Sequence, residues 1–305
     1  METQHKLQER EVQLKKMDLR FTYPILFCTL ILMNYGGVDA AKNLQEKSSS
    51  SSSVYNHKHQ SNGTDAEKKT ESAQIGLFTM DELLSFRVGT KLPIFFPIRN
   101  LSLYPPLFLP ENFAKIIPFS TKEAAAVFDL FSVPPVSRRG EAFLGTLITC
   151  EESIEGENKI CATSLESMIG FVEKAFGPEV DFEFVTTTHP TITTPIIQSY
   201  TVLEAPLEIR SAKKVACHPF PYFYAVYFCH SDPNYGTKAF KVRLVAESTG
   251  DEVEAVVVCH LDSKSLRSDH LVFRMLGIEK GGSFCHVFRQ GDIVWIQKTS
   301  PLAAM

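Results

Sequence analysis

The stretch VACHPFPYFYAVYFCH, Val215–His230, contains the dipeptide Cys-His twice, with ten residues between the copies. Its second half, from Phe223, is aromatic and β-branched, the composition of a strand. Successive side chains on a strand point to opposite faces. A cysteine placed directly before a histidine therefore sends a thiol to one face and an imidazole to the other. The dipeptide recurs in VVVCHLDS (Val256–Ser263) and SFCHVFRQ (Ser283–Gln290), after intervals of 28 and 24 residues.

Working outward, the C-terminal half is a series of short runs rich in β-branched and aromatic residues: DFEFVTTT, SYTVLEAP, FYAVYFCH, AFKVRLVAE, EVEAVVVCH, HLVFRMLGI, SFCHVFR and DIVWIQ. Turn-prone pieces such as SDPNYGT, ESTGDE and KGGS separate them. Upstream, TKLPIFFPI reads as a further strand with prolines at its margins. Thr79 or Asp81 can cap a short helical turn, and Ser120 with Glu123 has the spacing of a capping box for a helix in STKEAAAVFDLF. TSLESMIGFVEKAFG has the strongest helical pattern. Ser164 or Thr163 caps it, Leu165, Met168, Ile169 and Val172 share a face, and Gly177 stops it. The expected fold class is α+β: a mostly antiparallel β sandwich or barrel with a few short helices near the domain start, forming one disulfide-stapled domain over residues 75–305.

Residues 1–40 read differently. Arg20 precedes an apolar run, Phe21–Met33, followed by small residues with Val38 and Ala40 placed for cleavage before Ala41. This is the pattern of a secretory signal behind an upstream extension, and Met17 makes a more usual start for it than Met1. The run falls short of the roughly 20 residues that span a bilayer, so no membrane association is expected after cleavage. Residues 41–74 hold six consecutive serines, Ser48–Ser53, and almost no aliphatic side chains. Such a segment reads as a flexible linker. Asn62 and Asn100 begin glycosylation sequons. The chain carries 31 Lys+Arg against 35 Asp+Glu without a basic stripe, which argues against a nucleic-acid partner.

With Cys28 in the signal, six cysteines remain: Cys150, Cys161, Cys217, Cys229, Cys259 and Cys285. An even number in an oxidising compartment predicts three disulfides, with 15 possible connectivities. A local Cys150–Cys161 bridge across the polar EESIEGENKI is the simple reading of that pair. The remaining four precede histidines, and three readings compete. The cysteines pair while the histidines merely pack. Or the cysteines pair while His218, His230, His260 and His286 converge on a metal, for which imidazole donors suit copper or zinc. Or thiolates and imidazoles together hold structural zinc, against which the long gaps and the oxidising compartment both speak. His270 is a weaker fifth donor. No nucleophile elbow, His-Glu-x-x-His helix or phosphate loop is present, so hydrolase chemistry has no support.

The four Cys-His repeats, PIFFP (Pro93–Pro97), LPENFAKIIPFST (Leu109–Thr121), CEESIEGENKICATSLESM (Cys150–Met168), SYTV (Ser199–Val202) and the terminal Trp295 together resemble the plant BURP-domain proteins over roughly Leu77–Gln297. The 28-residue interval is slightly long for that family, and extra residues in SDPNYGTKAF account for it. The resemblance implies a secreted protein of the apoplast or cell wall, or of the storage vacuole, acting in development or stress responses. Wall polysaccharide or wall proteins would be its partners. It also implies an alternative. Some members resemble copper-dependent peptide cyclases that join a Tyr or Trp side chain to another residue of a core peptide, in which case the four histidines are the copper-ligand candidates. The linker holds one aromatic residue, Tyr55, without a surrounding repeat, so any peptide substrate would be a separate chain.

Overall fold

The computed structural model describes residues 65–96, 102–153, 158–188, 198–231 and 236–298. The signal and serine-rich segments, Asn62 and Asn100 lie outside them. The described residues form two antiparallel sheets. The larger contains β1 (Leu77–Phe78), β2 (Lys91–Ile94), β5 (Gln198–Val202), β9 (Thr237–Ala246), β10 (Glu252–His260) and β11 (Phe284–Val287), in the order β1-β11-β10-β9-β5-β2, with β6 (Leu207–Glu208) also paired to β9. The smaller has the order β3-β8-β7-β12-β4: Asn158–Ala162, Val226–Ser231, Lys214–Phe220, Ile293–Gln297 and Phe182–Val185. Every named strand pairing is antiparallel, though only β7–β8 and β9–β10 are joined by hairpin-length connections.

The sheets meet through Ala216, Val294 and Ile296 of the smaller and Ala239, Val256 and Val258 of the larger, with Phe288 between them. Alternation sends the remaining residues of each strand to the outer faces. There, Cys259, Cys285, Val257, Phe240 and Leu244 join Leu83 of α2 (Met80–Ser85) in one core. On the smaller sheet α6 (Leu165–Phe176) packs on β3, β7 and β8, burying Met168, Val172 and Phe176. A third core gathers Tyr222 and Tyr224 of the β7–β8 turn with α4 (Ala124–Leu130) and α5 (Arg138–Glu151), which follow the single-turn α3 (Glu111–Ala114).

Local signals explain several helix ends. Thr79 and Glu82 form a reciprocal capping box, Ser164 caps α6, and Gly177 at φ 100° ends it. Ser120 and Glu123 do not form the expected box. Their side chains bond each other, and Glu151 takes the Thr121 N–H instead. HLVFRMLGI is not a strand: Leu271–Leu276 is a helix (α7), because His270 caps it through Nδ1 and Gly277 closes it in the left-handed region. α1 (Asp65–Gln74) precedes the expected start of order at Ile75, with Ser72 buried and Ala73 against the outer core. α5 carries two glycines and no strong apolar run. Gly140 lets it approach the preceding loop, since a Cβ there would strike the Pro134 and Pro135 carbonyl oxygens.

Three disulfides staple the fold: Cys150–Cys161, Cys217–Cys229 and Cys259–Cys285. The last two close spans of 12 and 26 residues, each worth about 3 kcal/mol in unfolded-state entropy. Their four cysteines are 0 % exposed, whereas Cys150 and Cys161 are only partly covered. A small reductant followed by alkylation of the native protein is therefore expected to label Cys150 and Cys161 first. Labelling of the other four should track unfolding, and simultaneous labelling of all six would contradict this ordering.

Candidate metal centre

The histidines are placed by register. In the β7–β8 hairpin Cys217 stands directly opposite Cys229, and in the β10–β11 pair Cys259 stands directly opposite Cys285. Because side chains alternate, His218 and His230 fall diagonally from one another on the reverse face, as do His260 and His286. The reverse faces are those the two sheets turn toward each other. Each sheet thus delivers one diagonal imidazole pair to the same end of the inter-sheet layer.

The four rings close into a circuit. Centroid separations are 5.5 Å for His218–His230, 5.9 Å for His230–His260, 5.5 Å for His260–His286 and 5.7 Å for His286–His218. Phenylalanines wall it. Phe288 lies edge-on to His218 at 5.1 Å, Phe284 stacks on His260 at 4.8 Å, and Phe228 flanks His230 at 5.3 Å. The four histidine residues are half-buried, while the cysteines behind them are fully buried.

His218 Nε2 and His230 Nε2 are 3.4 Å apart. Two nitrogens bound at about 2.0–2.1 Å to one tetrahedral ion stand about 3.3–3.4 Å apart, so this pair already has the spacing of two ligands. His260 and His286 stack almost parallel, at 8°. Among the described residues no three ligand-type side chains are gathered round one point. Four-fold ligation thus requires turning the rings about χ2, a soft torsion for histidine. The donor set fits a borderline transition metal, and thiolate ligation by the repeat cysteines is overturned because all four are disulfide-bonded on the outer faces.

The structure thus brings together all four histidines that the repeats single out. His270 serves as a helix cap, its Nδ1 taking the Val272 N–H. Sequence reasoning missed Asp292, which is 5 % exposed. Its Oδ1 lies 3.3 Å from His218 Nδ1 and its Oδ2 accepts the Arg289 N–H at 2.6 Å. The turn signal RQGD marks its position in the chain but not its burial.

Desolvation holds the His286 imidazole well below the ordinary histidine range, and the neighbouring His260, His218, His230 and Arg289 push it in the same direction. His286 is therefore neutral in the folded state at pH values where the unfolded chain, with an ordinary pKa of about 6.5, takes up a proton. Stability contributed by keeping it neutral is complete above that value and declines as pH falls below it toward the folded pKa. The metal-free protein should accordingly lose Tm between roughly pH 7 and pH 5, and His286→Gln should flatten that slope. A variant retaining the full slope would place the acid sensitivity elsewhere.

The sequence model of the BURP domain matches residues 77–297, a span that includes all four Cys-His pairs. The chain is similar to BURP domain protein USPL1 of Arabidopsis thaliana, 37 % identical over 72 % of this chain and 79 % of that protein. It is similar to BURP domain-containing protein BNM2C of Brassica napus, 34 % identical over 92 % of this chain and 99 % of that protein. Protein RAFTIN 1B of Triticum aestivum is 33 % identical over 88 % of this chain and 72 % of its own length. With the family match over most of the chain and relatives of this extent, the chain belongs to the BURP domain family.

Proposed function

We propose that this BURP-domain protein is secreted to the apoplast or cell wall, or to the storage vacuole, and binds one copper ion through His218, His230, His260 and His286. The observation that carries the metal assignment is the closed circuit of four imidazoles, two from each sheet. All-nitrogen donors favour copper among the available divalent ions. Three disulfides support an oxidising compartment, and the leader pattern supports export. No helix among the described residues is long and apolar enough to cross a membrane. In this reading the protein acts in plant development or stress response, with wall polysaccharide or wall proteins as partners.

A second reading rests on the partly exposed His218 side chain and on the phenylalanines, Phe284, Phe288 and Phe228, beside the histidines. An aromatic side chain of a peptide could reach the open edge. Copper when bound supplies one-electron redox chemistry that these side chains lack. Oxidative joining of a Tyr or Trp to another residue of the peptide removes two hydrogens, with dioxygen as the electron acceptor. The chain's own part would be to hold the peptide against the phenylalanine wall.

Metal analysis of the chain from Ala41, purified without chelators, tests the assignment. Near-stoichiometric copper is expected, and it should be lost from the double variant His230→Ala, His260→Ala while the disulfides remain. A wild-type protein that folds, keeps its disulfides and takes up no copper when offered it would sink the metal assignment. Loss of two hydrogens from a Tyr- or Trp-containing peptide incubated with the copper-loaded protein and dioxygen would favour the cyclase reading over a purely structural one.

A further inference from the structure

We propose that Asp292 is a positioning residue that selects which nitrogen of His218 faces the imidazole circuit, an inference that rests on the four-histidine reading of the site. The placement follows from register. Ile293 of β12 pairs with Cys217 of β7, so Asp292 arrives beside His218 one step along the same strand pair. The turn joining β11 to β12 holds it there. Its N–H donates to the Arg289 carbonyl at 3.0 Å, Oδ2 accepts the Arg289 N–H at 2.6 Å, and its own carbonyl accepts the Thr186 hydroxyl at 2.7 Å. Gly291, at φ 85°, supplies the left-handed residue that lets this turn close.

Held on several sides, the carboxylate presents Oδ1 to His218 Nδ1 at 3.3 Å. A carboxylate oxygen is an acceptor only, so it favours the tautomer with the proton on Nδ1. The lone pair then lies on Nε2, the atom 3.4 Å from His230 Nε2. Only a nitrogen carrying a lone pair can ligate a metal, and a ligand histidine commonly has its other nitrogen fixed in this way. Without Asp292 the ring would divide between two tautomers, one of which presents N–H to the centre. Asp292 also follows the strand that carries His286, so one short turn serves both sheets' contributions to the circuit.

The engagement of Oδ2 makes a specific substitution informative. In Asp292→Asn the side-chain oxygen is expected to stay with the Arg289 N–H, turning the amide NH2 toward His218. That reverses the demand on Nδ1 and moves the proton to Nε2, the same inversion that an Asp-to-Asn change produces beside a catalytic histidine. A residue that merely filled space or anchored the turn would not move the tautomer.

The test uses the full secreted chain, nitrogen-15 labelled, metal-free, at a pH above the ordinary imidazole range. Long-range proton–nitrogen correlation reads the His218 tautomer in the wild type, Asp292→Asn and Asp292→Ala. Copper affinity is measured on the same three proteins by competition with a chromophoric chelator. The expected results are an Nδ1–H tautomer in the wild type and an Nε2–H tautomer in Asp292→Asn. Copper affinity should fall roughly 10–100-fold in that variant. A wild type already in the Nε2–H form would overturn the proposal, and that measurement stands even if a variant does not fold. So would an Asp292→Asn protein with unchanged tautomer and affinity. Tautomer inversion in a protein that never binds copper would support the positioning assignment and overturn only the four-histidine reading.

Discussion

Two pairs of directly opposed cysteines set the geometry on which this domain turns. A cross-strand disulfide can form only where the strands are in one register, so each bridge holds its strand pair against a one-residue slip. Such a slip would exchange the faces of every side chain on the strand. Locking Cys217 to Cys229 and Cys259 to Cys285 therefore does more than lower the entropy of the unfolded chain. It commits His218, His230, His260 and His286 to the faces that the sheets turn toward each other.

The two residue types then occupy environments suited to their chemistry. The cysteines lie in apolar outer cores under α2 and α6, where sulfur packs well and solvent has no access. The histidines sit half-buried where the inter-sheet layer ends, among phenylalanines. That placement keeps His286 neutral, which metal binding needs, because only an unprotonated imidazole can donate. Asp292 and the Arg289 turn extend the same logic one step further out, from placing a ring to orienting it.

Legibility varied by element for physical reasons. Strands with strong apolar alternation, such as β9 and β10, were evident, and so was α6 with its cap, face and terminal glycine. β3 and β7 were not singled out. The first begins in the polar stretch before Cys161, and the second ends in Pro219 and Phe220 after a histidine, which breaks the β-branched pattern. α5 was hidden because Gly140, Gly145 and Thr146 weaken its helical propensity, and what holds it is packing of Phe143 and Leu147 against Tyr222. Leu271–Leu276 carried strand-like composition, but propensity is a weak prior and the caps at both ends decide for helix.

The sequence by itself determined the alternation. The three Cys-His dipeptides in strand-like runs must present thiol and imidazole to opposite faces, whatever the topology, because the pleat has a period of two; that Cys217-His218 also lies on a strand, β7, came only from the structure. The Cys-His repeats also singled out the four histidines, and with the other motifs they carried the resemblance to the BURP-domain proteins. Only the tertiary structure decided how the four repeat cysteines pair, since three connectivities of those four satisfy the same sequence once Cys150–Cys161 is read as a local bridge, and the choice depends on which strands are neighbours. It alone brought the two imidazole pairs to one place and set a buried carboxylate beside His218. Both depend on how two sheets stack, and stacking is settled by long-range packing that no local pattern encodes.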